Sequence, residues 1–266
     1  MLTLPATSAL VLLWLGKDFY NSSVCTKYFN QLDLSAGEEI LNQKYLNWPH
    51  FDQAMQSRKI IVQLFIKEFL EKINRPTQII SLGAGLDPLC LYLTSTHSNL
   101  IGFDVDIANL FEKEKLISNI YPKYKKQLNF VQANVSNPDE VIIKLQKSGW
   151  DKKNPSIVIV EGLSYYLTKQ QNKNLLSRFK SETSKLYIIF EYLKICTETN
   201  PPFDQIGTEI FEGVKNQLQL PEDITRFSRE EIQAIAQHIN ANKHKILCLS
   251  ECCSALKQNN KIYQTK

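Results

Sequence analysis

The chain has 266 residues, of which 43% are hydrophobic, and its 31 basic and 27 acidic residues give a formal net charge of +4. This size fits one large domain with a real core, and the near balance of charge gives no indication of a nucleic-acid surface. A short lysine cluster, Lys123, Lys125 and Lys126, is interpreted as a solvated helix end. We therefore expect no nucleic-acid partner, whereas the oligomeric state is left open.

The six cysteines and four histidines show none of the spacings that are typical of metal sites, so we expect no metal site. Free thiols are typical of proteins in a reducing compartment, which predicts a cytoplasmic location. The cysteines are Cys25, Cys90, Cys196, Cys248, Cys252 and Cys253.

An apolar segment at residues 9–15 is too short to cross a membrane, since a spanning helix needs about 20 apolar residues. Basic residues do not precede it, as they would in a secretory signal. We predict a helix that is buried or packed against a partner, and no membrane association. Apolar residues recur at helical spacing further on, so residues 1–75 are predicted to be helical. They are Phe51, Met55, Ile60, Ile61, Leu64, Phe65, Phe69 and Leu70.

From residue 76 onward, apolar strands alternate with helices, which predicts an α/β fold with a mainly parallel sheet and helices on both faces. The predicted strands are 78–82, 100–105, 129–132, 157–161 and 185–192. The predicted helices between them are about 89–94, 107–120, 138–146 and 169–182.

The segment after the fifth strand is predicted to cover the site. Asn-Pro-Pro at residues 200–202 interrupts the chain, and residues 205–220 have the pattern of an amphipathic helix. We therefore interpret residues 200–225 as a cap. The chain is divided into an N-terminal helical region, 1–75, and a core, 76–266, within the same domain.

Two further elements are predicted near the end of the chain. Residues 225–237 are predicted to be a helix, with Ser228 as its N-cap and Glu231 at the capping-box position. Residues 245–251 are predicted to be a late strand.

The most informative segment is the apolar run 79–82 followed by Gly83-Ala84-Gly85. A buried strand that ends in glycines before a helix is typical of nucleotide-cofactor sites, because glycine lets the backbone approach a ligand closely. A dinucleotide fingerprint would need a third glycine where this chain has Pro88. Asp87 would also repel a diphosphate, whereas it would tolerate a sulfonium ligand. A dinucleotide site and a purely structural turn are therefore the weaker interpretations.

This turn resembles the first motif of S-adenosylmethionine-dependent methyltransferases, and Leu-Gly-Ala-Gly-Leu-Asp at residues 82–87 resembles the leucine carboxyl methyltransferase family. Other segments resemble this family's motifs in the right order, over about residues 50–195. They are residues 54–58, 103–107, 130–135 and 155–167. The resemblance implies a Rossmann-like fold and S-adenosylmethionine as the cofactor.

The chain departs from the family pattern at three places. Residues 87–89 are Asp-Pro-Leu where the family usually has Asp-Thr-Arg or Asp-Thr-Thr, and Ala108 replaces a proline. Asn134 replaces the adenine-side aspartate, although an asparagine oxygen can still accept a hydrogen bond from an exocyclic amine. We interpret the chain as a divergent member.

The motifs fall at the carboxyl ends of the predicted strands, where an open α/β sheet binds its ligand. The backbone of Gly83, Ala84 and Gly85 is expected to line the methionine part of the cofactor. An acid that ends the second strand would accept hydrogen bonds from the ribose hydroxyls. The family alignment gives Asp106 and general methyltransferase spacing gives Asp104, and we favour Asp106.

The resemblance also implies the remaining cofactor contacts. Asn134 and Val135 would frame the adenine, and Arg58 would bind the cofactor's carboxylate through its planar fork. Glu161 would lie beside the amino group, and Gly162 would allow close approach.

Tyr165 or Tyr166 is expected to face the methyl-transfer zone, so both are catalytic candidates. His50 and Glu191 are weak candidates for a general base. A carboxylate acceptor is ionised and needs no base, whereas a hydroxyl usually needs one.

We therefore predict O-methylation of a carboxylate, or of a hydroxyl, on a small metabolite or carrier-bound intermediate. One alternative is methylation of a protein's C-terminal leucine carboxylate. An alternative from another class is an inactive regulatory protein that binds the cofactor.

Overall fold

Five apolar segments form a parallel sheet in the computed structural model of the protein, which describes residues 1–44, 51–73, 75–180, 185–195, 224–241 and 243–247. The strands are β1 (Leu2–Thr3), β2 (Leu32–Asp33), β3 (Thr77–Leu82), β4 (Leu100–Asp106), β5 (Leu128–Gln132), β6 (Ser156–Val160) and β7 (Leu186–Phe190). The α-helices are α1 (Ala6–Leu15), α2 (Ser23–Phe29), α3 (Ser35–Lys44), α4 (Phe51–Glu71), α5 (Leu89–Thr96), α6 (Leu110–Ile120), α7 (Pro138–Lys147), α8 (Lys169–Phe179) and α9 (Arg229–His238). Short 3-10 helices span Pro122–Lys126 and Ser164–Tyr166.

The central sheet has the strand order β5-β4-β3-β6-β7, and every neighbouring pair is parallel. The order reverses at β3, which pairs with β4 on one side and with β6 on the other. Leu82, the last residue of β3, lies opposite Val105 and Val160. Ligands of open α/β sheets bind beyond the carboxyl ends of the strands at such a reversal. The glycine turn that follows Leu82 therefore emerges at the position where a ligand is expected.

Alternate residues of each strand pack against different layers of helices, because successive side chains point to opposite faces of a sheet. Ile79 and Ile157 join a cluster with residues of α1, α2, α4, α5 and α6. Ile80 and Val158 join a second cluster with residues of α7, α8 and α9. This arrangement confirms the predicted α/β class, with a Rossmann-like parallel sheet and helices on both faces.

The N-terminal helices pack on the first of these layers. Five residues of α1 are buried, as expected for residues 9–15, and Gly37 of α3 packs closely on α1. A Cβ at Gly37 would lie 2.7 Å from the backbone nitrogen of Leu10. The short parallel pair β1–β2 was not predicted, since two-residue strands carry no periodic pattern. Among the described residues, no helix has the length and apolar character needed to cross a membrane.

The predicted strands of the central sheet agree with the structure within two residues, but helix α6 begins at Leu110 rather than at Ile107. The Asp106 carboxylate accepts hydrogen bonds from the backbone nitrogens of Ile107 and Ala108. Asn109 then adopts a φ of 62°. This tight turn at the end of β4 delays the helix.

Helix α9 also begins later than predicted, at Arg229 rather than at residue 225. The predicted capping box, with Ser228 as the N-cap and Glu231 as its partner, is confirmed. Phe227 instead extends away from the helix and donates its N–H to the carbonyl of Leu193 over 2.8 Å. Of the predicted late strand, residues 245–247 are not in a strand.

Several predictions lie outside the described residues. They are the interruption at 200–202, the cap helix at 205–220 with most of the cap 200–225, the last residues of the helix 169–182, residues 248–251 of the late strand, and His50.

A buried ion pair lies next to the glycine turn and contacts its backbone. Lys113 of α6 is fully buried, and its ammonium lies 2.8 Å from Asp104, which is 1% exposed. The same ammonium donates to the carbonyl oxygens of Gly85, over 3.0 Å, and Asp87, over 2.6 Å. Lys113 therefore joins β4 and α6 to the segment that follows β3.

We predict that Lys113→Met lowers the free energy of unfolding by about 3–5 kcal/mol, because it leaves the Asp104 carboxylate buried and unpaired. Urea denaturation measures this change. Lys144→Met is the matched control, since Lys144 pairs with Glu140 on the surface and such pairs contribute about 0–1 kcal/mol. Equal losses for the two variants would contradict the assignment of Lys113 as a supporting residue.

Candidate functional site

The glycine turn after β3 is held open by backbone and carboxylate contacts. Gly83 has a φ of 68° and donates its N–H to the carbonyl of Val105 over 2.9 Å. Gly85 has a φ of 46° and donates its N–H to Asp106 Oδ2 over 2.8 Å. A Cβ at Gly83 would lie 3.1 Å from Leu163, whereas a Cβ at Gly85 would meet nothing within 4 Å. The turn therefore borders an open space on the Gly85 side, while Ala84 is buried.

The two acidic candidates of β4 occupy different depths. Asp104 is buried within the sheet and is paired with Lys113. Asp106 ends the strand, is partly exposed, and accepts hydrogen bonds from the backbone of Gly85 and Ile107. With the N–H of Ala108, three backbone groups donate to this carboxylate, which has about four acceptor positions, so about one position remains for a ligand's hydroxyl group.

Arg58 of α4 lies between two glutamates that follow neighbouring strands. Its Nε donates to Glu161 Oε1 over 2.9 Å, and its Nη1 donates to Glu191 Oε1 over 3.1 Å. Burial lowers the pKa of Arg58, but the carboxylates of Glu191 and Glu161 outweigh it, so the net shift is upward. Arg58 therefore stays charged, and among the described residues these two carboxylates accept from its fork.

Lys59 belongs to the site, although it was not predicted from the sequence. It is 4% exposed, it donates to Asp87, and it donates to Glu161 Oε2 over 2.9 Å. Asp87 Oδ1 accepts a hydrogen bond from the hydroxyl of Tyr20 over 2.8 Å and another from the backbone N–H of Leu89 over 3.0 Å. We refer to Arg58, Lys59, Asp87, Glu161 and Glu191 as the ionic cluster.

A signal for Lys59 was present in the sequence. Together with Met55, Val62 and Ile66 it forms the buried stripe of α4, at the spacing of one helical face. Leu64, which the apolar pattern included, is 38% exposed instead. A lysine at an apolar position of a helix is either paired or functional, because an unpaired buried charge is very costly.

Gly162, Tyr165 and Tyr166 lie beside the ionic cluster. Gly162 has a φ of 68°, and its N–H donates to Glu191 Oε2 over 2.5 Å. The two tyrosine rings have centroids 4.6 Å apart. Burial, followed by the Glu191 carboxylate, raises the pKa of Tyr165 well above its usual value, and burial also raises the pKa of Tyr166. Both phenols therefore stay neutral at physiological pH.

Asn134 and Val135 follow β5 on the other side of the turn. Asn134 Oδ1 accepts from the backbone N–H of Ser136 over 3.0 Å and from its hydroxyl over 2.8 Å. Val135 packs on the second apolar cluster. The side-chain oxygen of Asn134 is therefore engaged within its own turn, and its contact with adenine stays a prediction.

The described part of the chain contains no group of three or more His, Cys, Asp or Glu side chains that could hold a metal ion. Cys25 and Cys90 are buried and free.

Comparison with known proteins identifies the family of this chain. The family model for leucine carboxyl methyltransferase matches residues 16–180, which begins well before the resemblance seen in the sequence and includes Tyr20. A "Probable leucine carboxyl methyltransferase 1" from Caenorhabditis briggsae is 23% identical over 158 residues, which cover 50% of this chain and 48% of that protein. The "Leucine carboxyl methyltransferase 1" of Caenorhabditis elegans is 20% identical over 158 residues, covering 51% and 47%. The chain thus spans about half the length of the curated relatives that it matches.

Solved structures share the fold. A candidate methyltransferase from Thermobifida fusca superposes with a TM-score of 0.55 at 14% identity, covering 76% of this chain and 73% of that one. A DUF574 family protein from Streptomyces avermitilis gives a TM-score of 0.56 at 12% identity, covering 86% and 81%. The family match extends over more than half of the chain, so the protein belongs to the leucine carboxyl methyltransferase family of S-adenosylmethionine-dependent methyltransferases.

Proposed function

We propose that the protein is an S-adenosylmethionine-dependent methyltransferase that esterifies a carboxylate. The observation that carries this proposal is the pairing of Arg58 with Glu161 beside the open turn at Gly85. A cation and an anion at the strand reversal are complementary to the carboxylate and the ammonium of an amino-acid head group. Membership of the family supports the same assignment.

The residues present fit this cofactor. Gly85 borders open space and has no side chain to obstruct a ligand. Asp106 accepts the N–H of Gly85 at the edge of that space, and its carboxylate can accept one further hydrogen bond from a hydroxyl group. Arg58 has five N–H donors, of which described residues occupy two, so a ligand carboxylate can share its fork.

Each residue of the site is then assigned a contact with the cofactor. Arg58 binds the carboxylate of the cofactor, Glu161 accepts from its amino group, and Asp106 accepts from its ribose. The backbone at Gly83, Ala84 and Gly85 lines its methionine part. When bound, the cofactor supplies a methyl group that is activated by the sulfonium charge.

Tyr165 and Tyr166 are proposed to orient the acceptor. Because their phenols stay neutral, they can donate hydrogen bonds to a carboxylate rather than repel it. An ionised carboxylate needs no general base, so the chain has to align the acceptor and exclude water, and alignment alone can contribute several kcal/mol. Asn134, Val135 and Gly162 are proposed to complete the cofactor pocket.

The acceptor that the relatives favour is the C-terminal leucine carboxylate of a protein, since both curated relatives are named leucine carboxyl methyltransferase 1. A cap predicted over residues 200–225 favoured a small acceptor, but most of that segment lies outside the described residues. We therefore propose the protein C-terminus as the acceptor and retain a small carboxylic acid as the alternative outcome of the assay.

We predict that Arg58→Ala weakens S-adenosylmethionine binding more than about tenfold, since a charge-assisted hydrogen-bonded pair contributes about 1.5–3 kcal/mol. Isothermal titration calorimetry measures the change. Arg178→Ala is the matched control, because Arg178 forms an exposed ion pair with Asp139, and neither belongs to the ionic cluster. Unchanged affinity in Arg58→Ala would remove Arg58 from the proposed site.

We expect Asp106→Asn to affect cofactor binding and Asp104→Asn to affect stability. Asp106→Asn weakens S-adenosylmethionine binding with little loss of stability, because a neutral amide is a poorer acceptor than a carboxylate. Asp104→Asn mainly lowers the free energy of unfolding, because it leaves Lys113 buried without its counter-charge. Calorimetry together with urea denaturation separates the two, and a reversed pattern would assign the ribose to Asp104.

Carboxyl methylation is tested with labelled S-adenosylmethionine and two peptides that end in leucine, one with a free carboxylate and one with an amide. We expect the label to enter the free acid, to leave as methanol in mild base, and to be absent from the amide. Labelling of small carboxylic acids in place of the peptide would overturn the protein acceptor. Binding without turnover on any carboxylate would favour an inactive regulatory protein.

A further inference from the structure

The ionic cluster contains more carboxylates than cations. Two cations, Arg58 and Lys59, face three carboxylates, those of Asp87, Glu161 and Glu191, which gives a net charge of −1. The neighbouring pair of Asp104 and Lys113 is balanced and adds nothing to this charge. The excess is therefore a property of the ionic cluster itself.

This charge has a counterpart in the chemistry of the cofactor. The amino-acid head of S-adenosylmethionine is a zwitterion, so its sulfonium leaves the molecule with one net positive charge. The thioether that remains after methyl transfer is neutral overall. A site with one excess negative charge attracts the donor more strongly than the product, since the rest of the two molecules is the same.

We propose that Lys59 is a specificity-determining residue of the cofactor site, because it sets the ionic cluster at one excess negative charge and so tunes the preference for the sulfonium donor over the thioether product. This inference rests on the proposed cofactor. Lys59 acts through Asp87 and Glu161 rather than by touching the ligand, so it is a positioning residue.

The geometry singles out Lys59 for this role. Its ammonium is shared by two carboxylates that follow different strands, and Tyr20 and the backbone of Leu89 hold Asp87 independently. Burial lowers the pKa of Lys59, but Asp87 and Glu161 outweigh it and the net shift is upward, so the lysine stays charged throughout the physiological range. Removing it changes the charge by one unit while Arg58 remains in place.

The test is the ratio of the dissociation constant of S-adenosylhomocysteine to that of S-adenosylmethionine, measured by calorimetry without any acceptor. Lys59→Met leaves an excess of two negative charges. For a separation of about 10 Å between the added charge and the sulfonium, and an effective dielectric constant of about 20, we expect this ratio to rise about fivefold or more. The head groups of the two ligands are identical, so their contributions to the ratio cancel.

Two further variants control for damage to the site. Lys59→Met combined with Asp87→Asn restores one excess negative charge, and its ratio is expected to return to within about twofold of the wild-type value. Glu191→Gln makes the ionic cluster neutral, and its ratio is expected to fall. If Lys59→Met alone does not fold, Glu191→Gln still tests the dependence on charge, and an unchanged ratio in that variant would overturn it.

Ratios that do not follow the charge of the ionic cluster, in variants with wild-type melting temperatures, would overturn the role of Lys59 while leaving the proposed cofactor intact. Failure of the wild-type protein to bind either ligand would overturn both the proposed function and this inference. The two failures are therefore distinguishable in one set of titrations.

Discussion

Two adjacent cations on α4 connect three carboxylates that come from separate parts of the sheet. Arg58 and Lys59 pair with Asp87 after β3, Glu161 after β6 and Glu191 after β7. Buried charges are strongly destabilising unless they are paired, so these strand ends and α4 have to be in place together. The site therefore forms only when the N-terminal region, which includes α4, is packed on the sheet.

Further hydrogen bonds hold the turn that borders the ionic cluster. Tyr20 reaches Asp87 from the segment before α2, and the hydroxyl of Tyr28 donates to the carbonyl of Leu86 over 2.9 Å. The ammonium of Lys113 donates to the carbonyl oxygens of Gly85 and Asp87 in the same turn. The backbone of the glycine turn is therefore held by several independent hydrogen bonds, while the position of a Cβ at Gly85 remains open. Such preorganisation reduces the ordering that a ligand would otherwise have to impose.

The parallel sheet and the motif positions could be predicted from the sequence, because each depends on local patterns. A strand that ends in glycines, or Glu161 at the end of an apolar strand, is visible within a few residues. The pairing of Lys59 was not visible, since its partner Glu161 lies 102 positions away. Asp106 was favoured over Asp104 on the family resemblance, because the local pattern does not separate them. Both lie on one face of β4, and what differs is whether the strand continues beyond them.

The central claim is that Arg58 and Glu161 receive the amino-acid head of the cofactor. A crystal structure of the protein with S-adenosylhomocysteine tests it most directly. We predict that the ligand's carboxylate lies within about 3 Å of the Arg58 fork and its ammonium at the same distance from Glu161. A ligand bound away from these two side chains, with the turn at Gly85 uncovered, would contradict the account.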